Sequence, residues 1–105
     1  MNAYAIDFET YYDKEVSVKE LGAEAYTRHP KYYAGMVSIV GPDLKWVGKP
    51  EDAPWSKIRS SVWVAHNAQF DRWVMNRLRD QGVVPDNVHP VKWVDTTAIP
   101  AYLQV

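Results

Sequence analysis

The amino-acid sequence predicts an α/β protein built on a mixed sheet, antiparallel early in the chain and joined by right-handed crossovers later. Strand-like alternation runs through "AYAIDFE", and "GMVSIVGPDLKWVG" carries two apolar runs around a tight turn. Further along, the apolar runs "SVWVA" and "VKWVD" flank a stretch with helical periodicity. With 105 residues, the chain is expected to form one domain spanning residues 1–105.

The first strand is predicted over Ala3 to Glu9, where one face is apolar and the other carries Asp7 and Glu9 with two alanines. The polar stretch 11–33 is interpreted as a surface excursion with a short helix around Ser17 to Leu21. The two runs of "GMVSIVGPDLKWVG" then form a hairpin. The chain therefore begins with a strand, an excursion and a hairpin.

The second half of the sequence alternates helices and strands. A short helix is predicted around Trp55 to Ser60, and "SVWVA" is predicted as a strand buried on both faces. Asn67 is expected to cap the N-terminus of the next helix, and Gly82 to end it. "VKWVD" forms the last strand, and a helix is expected to open at Thr96.

Composition limits the classes of function. Twelve basic and thirteen acidic residues give a formal charge of −1, which is too little positive field to hold nucleic acid by its phosphates alone. An anionic substrate would therefore require metal ions or a local basic patch. Cysteine is absent, which excludes disulfides and thiolate zinc sites. No apolar run suits a membrane span or a signal peptide, so the expected location is the cytoplasm, with no membrane partner.

Three acids form the candidate site. Asp7 and Glu9 project from one face with alpha carbons about 7 Å apart, which suits two divalent cations about 3.5–4 Å apart. The alternative is an edge strand with solvated acids, which the small and apolar neighbours disfavour. Asp71 falls in the first turn of the long helix, beyond the carboxyl end of "SVWVA", where α/β sheets build sites; taken alone, interaction with the helix dipole explains it better. Together the acids predict Mg²⁺ or Mn²⁺.

The residues around these acids resemble a known family. "DFET" and "AHNAQFD", with 64 positions from Asp7 to Asp71, resemble the first two motifs of the DnaQ-like, or DEDD, 3′–5′ exonucleases, which have an RNase H-like fold. The flanking stretches "VKELGAEAYTRHP" and "VDTTAIPAYL" are most similar to the N-terminal proofreading domains of phage-type family A DNA polymerases. The resemblance covers nearly the whole chain and implies a mixed RNase H-like sheet with flanking helices.

The resemblance implies a division of roles among the acids. Asp7 would bridge two Mg²⁺ or Mn²⁺ ions, Glu9 would hold the ion that activates the attacking water, and Asp71 would hold the other. The implied reaction is hydrolysis of the terminal phosphodiester at the 3′ end of single-stranded DNA. For a phage protein, the implied location is the cytoplasm of the bacterial host.

The resemblance also implies substrate contacts. Thr10 is expected near the 3′-terminal nucleotide, and Tyr11 or Tyr12 against its base, although packing at the strand end explains either tyrosine equally well. Asn67 is a candidate substrate contact, with helix capping as the simpler explanation. His66 is expected to have a structural or loop role.

A third motif of the family joins a histidine or tyrosine base to a fourth acid, and no such motif occurs up to Val105. We therefore expect a C-terminally incomplete exonuclease domain with strongly reduced or no activity. Asp95 is expected to cap the helix that opens with Thr96 rather than to be the fourth metal ligand.

An incomplete domain would leave apolar surface uncovered. We expect this surface to be buried against a second copy, or against a polymerase or host protein. The alternative function is a non-catalytic phage interaction or inhibitor protein that uses the half-fold as a scaffold. An inactive nucleic-acid binder is a third reading, which the net charge of −1 disfavours.

Overall fold

The computed structural model describes residues 2–98, which are built around a five-stranded mixed sheet. The strands are β1 (Ala3–Thr10), β2 (Ala34–Gly41), β3 (Leu44–Gly48), β4 (Val62–Ala65) and β5 (Lys92–Asp95). Their order across the sheet is β3-β2-β1-β4-β5. The β1–β2 and β2–β3 pairs are antiparallel, and the β1–β4 and β4–β5 pairs are parallel. The α/β class, the early hairpin and the later parallel strands are therefore confirmed.

The helices are mostly short. They are α1 (Val18–Leu21), α2 (Ala23–Arg28), α3 (Trp55–Ile58) and α4 (Ala68–Asp80), with 3₁₀ turns at Pro50–Asp52 and Thr96–Ala98. The chain leaves α4 through Gly82, whose φ of 73° is easily adopted only by glycine, so the predicted end of this helix is confirmed. No helix within residues 2–98 is long and apolar enough to cross a membrane.

One face of the sheet carries the main core. The side chains of Tyr4, Ile6 and Phe8 alternate along β1 and are buried. Trp55 and Trp63 pack on them, and each indole N–H donates to a main-chain carbonyl at 2.8 and 2.9 Å. Paired indole groups make such burial favourable, since an unpaired donor in the core would be costly.

The other face of the sheet is open. Val40 is 44% exposed and Val47 is 59% exposed on this face. Val62 and Val64 of β4 are half-buried here, while Trp63 points into the core. The prediction of a strand buried on both faces is therefore wrong for β4, because nothing within residues 2–98 covers the second face.

The surface excursion, residues 11–33, contains a second, smaller cluster of buried side chains. Val16, Tyr26 and Tyr32 are buried together, and Tyr26 donates its hydroxyl hydrogen bond to Thr10 Oγ1 at 2.8 Å. The short predicted helix is present as α1, with Ser17 Oγ accepting from the main chain at 3.2 Å. The excursion is therefore held against the end of β1, where the acids lie.

Candidate metal centre

Strand β1 presents Asp7 and Glu9 on the open face of the sheet. Both are exposed, and the intervening Phe8 is buried, so the predicted alternation is confirmed. The parallel pairing of β1 with β4 ends at Ala5 and Val64. The two acids, which still pair with β2, therefore lie beyond the last residue of β1 that pairs with β4, at the end of the sheet where β4 leads into α4.

Helix α4 places Asp71 in its first turn, with only 4% of the residue exposed. Burial, followed by the charge of Asp7 and more weakly that of Asp95, raises the pKa of its carboxyl from 3.8 to about 7, while a hydrogen bond from its own main-chain N–H opposes the rise. The charges that shift this pKa are thus all negative. A buried carboxyl facing other carboxylates is a group that a divalent cation would stabilise.

Glu9 is exposed, as Asp7 is, but its charge is not among the causes that raise the pKa of Asp71. Within residues 2–98, no three Asp, Glu, His or Cys side chains lie close enough together to hold a metal ion. Of the three predicted carboxylates, Asp7 and Asp71 are linked through the effect of the Asp7 charge on the pKa of Asp71. These two fit an oxygen-ligated cation such as Mg²⁺ or Mn²⁺ by their chemistry.

Asp95, at the end of β5, accepts hydrogen bonds from both sides. Its Oδ1 accepts from the Thr97 hydroxyl at 2.6 Å and the Thr97 main-chain N–H at 2.9 Å. From the start of α4, the N–H of Asn67 donates to Oδ1 at 3.1 Å and the N–H of Ala68 donates to Oδ2 at 3.0 Å. These bonds, led by the Thr97 hydroxyl, lower the pKa of Asp95 from 3.8 to about 2. The expected capping of the turn at Thr96–Ala98 is confirmed, and capping of α4 is an addition.

Asn67 stands at the N-cap position of α4 but does not cap it. Its backbone is left-handed, with φ 69° and ψ 63°, and its side chain makes no capping hydrogen bond. The prediction of Asn67 as the cap is therefore wrong in mechanism, because Asp95 supplies the acceptor instead. The exposed amide of Asn67 is left facing solvent.

The three residues that follow Glu9 differ in how far their side chains are free to contact a substrate. The half-buried Thr10 already accepts a hydrogen bond. Tyr11 donates to Asp13 Oδ2 at 2.8 Å, and its ring stacks on Tyr33 with centroids 5.9 Å apart. Tyr12 is 75% exposed. Packing therefore explains Tyr11, whereas Tyr12 offers a free aromatic surface.

A cavity of about 450 Å³ opens on the same face as the acids. Asp7, Ser38, His66 and Thr96 contribute its polar wall. His66 Nδ1 lies 2.9 Å from Thr96 Oγ1, which orients the imidazole. His66 therefore has the expected structural role and also lines the same cavity as Asp7. Its position next to the start of α4 could have indicated this location.

Compared with protein families, with curated proteins and with solved structures, the chain gives no match. The exonuclease resemblance therefore rests on the sequence motifs alone.

Proposed function

We propose that this chain is a metal-dependent 3′–5′ exonuclease domain of RNase H-like fold, similar to the proofreading domains of phage DNA polymerases. The observation that carries the proposal is the buried Asp71 in the first turn of α4, whose pKa is raised by burial and by the charge of Asp7. Such a pair is unfavourable in the protein alone and becomes favourable when a divalent cation binds.

The sheet supports the same proposal. Its order, β3-β2-β1-β4-β5, places the acid-bearing β1 at the centre, between an antiparallel hairpin and two parallel strands. Beside β1, α4 brings Asp71 to the carboxyl end of the parallel strands, the edge where α/β sheets bind ligands.

In this reaction Asp7 and Asp71 would hold the cation, and Glu9, on the same face of β1 as Asp7, would be the third of the four acids of the family. A bound Mg²⁺ or Mn²⁺ supplies positive charge at the phosphate and lowers the pKa of a water molecule. The exposed amide of Asn67 and the ring of Tyr12 are available to the terminal nucleotide.

Calorimetric titration of the 105-residue chain with Mn²⁺ tests the proposal. We expect binding by the wild type and none by Asp7→Ala, while Asp52→Ala, which removes an exposed acid outside the site, binds normally. A 3′-labelled single-stranded DNA assay with Mn²⁺ follows on the same proteins. Absence of Mn²⁺ binding by the wild type, or DNA degradation that persists in Asp7→Ala, would refute the proposal.

A second candidate function is a non-catalytic scaffold that assembles with a second copy through the open face. The exposed side chains of Met36, Val40 and Val47 favour it, since apolar sheet surface is usually covered. Light scattering separates the candidates. An oligomer that binds no Mn²⁺ supports the scaffold, and a monomer that binds Mn²⁺ supports the exonuclease.

A further inference from the structure

The start of α4 depends on a residue from another element. A helix leaves its first main-chain N–H groups without partners inside the helix. Here Asp95 accepts from two of the N–H groups at this end, those of Asn67 at 3.1 Å and Ala68 at 3.0 Å. The carboxylate uses a different oxygen for each bond, so it fixes both the position and the direction of the helix start.

The local sequence provides no substitute for this contact. Asn67 stands at the N-cap position, but its side chain makes no capping hydrogen bond. Its backbone is left-handed, with φ 69°, a conformation that residues other than glycine and asparagine rarely adopt. The bond from Asn67 N–H to Asp95 helps to hold this conformation in place.

Asp71 lies one helical turn after Asn67, and the residue is buried, with the negative charge of Asp7 near enough to raise the pKa of its carboxyl. The first turn of a helix is the part that frays, and Asp71 belongs to the turn that Asn67 and Ala68 begin, so a shift of these two residues would shift Asp71 with them. Metal ligands must be held within about 0.5 Å of their productive positions.

The Asp95 carboxylate also binds the turn that follows β5. Asp95 accepts from the main chain and the hydroxyl of Thr97, at 2.9 and 2.6 Å. Next to Thr97, the hydroxyl of Thr96 lies 2.9 Å from His66 Nδ1. One side chain thus links the end of β5 to the start of α4 and to the cavity that Asp7 lines.

We propose that Asp95 is a positioning residue of the metal centre, acting through the first turn of α4 to hold the buried side chain of Asp71 in place. The inference rests on the proposed function, because it concerns the cation that this function requires. It assigns Asp95 no contact with metal or substrate.

Mn²⁺ titration of the full chain tests this inference with three variants. Asp95→Ala removes charge and acceptors, and we expect affinity to fall about tenfold or more, as for other residues that orient metal ligands. Asp95→Asn removes the charge but keeps one acceptor oxygen, so it is expected to retain more affinity than Asp95→Ala. Val84→Ala removes buried side-chain volume beyond the far end of α4, and controls for loss of stability alone.

The outcomes separate the possible causes. Equal losses in Asp95→Asn and Asp95→Ala would mean that only the charge matters, and would overturn the positioning role. So would wild-type affinity in Asp95→Ala, or a loss no greater than in an equally destabilised Val84→Ala. If the wild type binds Mn²⁺ and Asp95→Ala binds it equally well, this inference alone is refuted. If the wild type binds no Mn²⁺, the proposed function is refuted as well.

Discussion

Two aspartates beside the start of α4 are treated in opposite ways by the fold. Asp95 accepts four hydrogen bonds, and its pKa falls to about 2. Asp71 is buried near other acids, and its pKa rises to about 7. The protein itself satisfies the charge of Asp95 and leaves that of Asp71 unsatisfied. The hydrogen bonds of Asp95 stabilise the fold, whereas Asp71 is the carboxylate that the proposed cation would stabilise.

The largest expected effect comes from Asp71→Asn, which removes the unsatisfied charge. Ionising Asp71 at about pH 8 costs on the order of 4 kcal/mol, from a pKa of about 7 against 3.8, and part of this is relieved by relaxation. We expect the free energy of unfolding in EDTA to rise by about 2 kcal/mol. Mn²⁺ affinity should fall by more than the roughly 10- to 100-fold expected for loss of an outer residue.

Denaturant unfolding and calorimetry measure the two effects of Asp71→Asn. The matched control is Asp52→Asn, at an exposed acid, which should change stability by no more than about 0.5 kcal/mol. A variant that loses stability in EDTA would show that Asp71 is a structural group after all, as Asp95 is.

The second prediction concerns pH. Because the folded pKa of Asp71 lies above its unfolded value, the folded state binds the additional proton between about pH 4 and pH 7. The contribution of Asp71 to stability is therefore present below about pH 4 and is lost as the pH rises to about 7. Asp95, with a lowered pKa, contributes with the opposite sign, so its stabilisation is lost as the pH falls below about 4.

Subtracting the unfolding free energies of Asp71→Asn from those of the wild type, across this pH range in EDTA, isolates the Asp71 contribution. Mn²⁺ affinity of the wild type should rise nearly tenfold per pH unit up to about pH 7, since the proton must leave first. Pairs of curves that stay parallel at every pH would contradict the raised pKa.

Local patterns in the sequence predicted the placement of acids that depends on residues close to them in the chain. The alternation in β1 placed Asp7 and Glu9 on one face, and helical spacing placed Asp71 in the first turn of α4. The bonds from Asp95 to α4 join residues 27 and 28 positions apart, and spacing does not encode them. Likewise, an apolar β4 does not reveal whether a second layer covers it.

The two faces of the sheet give the third prediction. On the open face, Val40→Lys adds charge to an exposed position, so the free energy of unfolding of the monomer should change by about 0.5 kcal/mol or less. If copies associate through this face, the variant should weaken association by about 1–2 kcal/mol, because a buried lysine there would lack a partner. Light scattering over a concentration series measures the shift.

Val91→Lys is the matched control for Val40→Lys, since Val91 is 59% exposed and precedes β5 rather than lying on the open face. Equal weakening of association by both variants would show that charge alone, and not the open face, governs assembly.

The smallest expected effect concerns Tyr11 and Tyr12, which differ as the two aspartates do: one has partners within the protein and the other is free to bind a ligand. Tyr11 is satisfied by Asp13 and Tyr33, whereas Tyr12 is 75% exposed. Tyr12→Ala should leave the free energy of unfolding unchanged within about 0.5 kcal/mol and weaken binding of a 3′ end by about 1 kcal/mol, the lower range for one stacked base. Tyr11→Ala should instead lower stability by about 1 kcal/mol through the lost stacking and hydrogen bond. Anisotropy of labelled single-stranded DNA, read beside denaturant unfolding, distinguishes the two, and a stability loss confined to Tyr12→Ala would reverse the assignment.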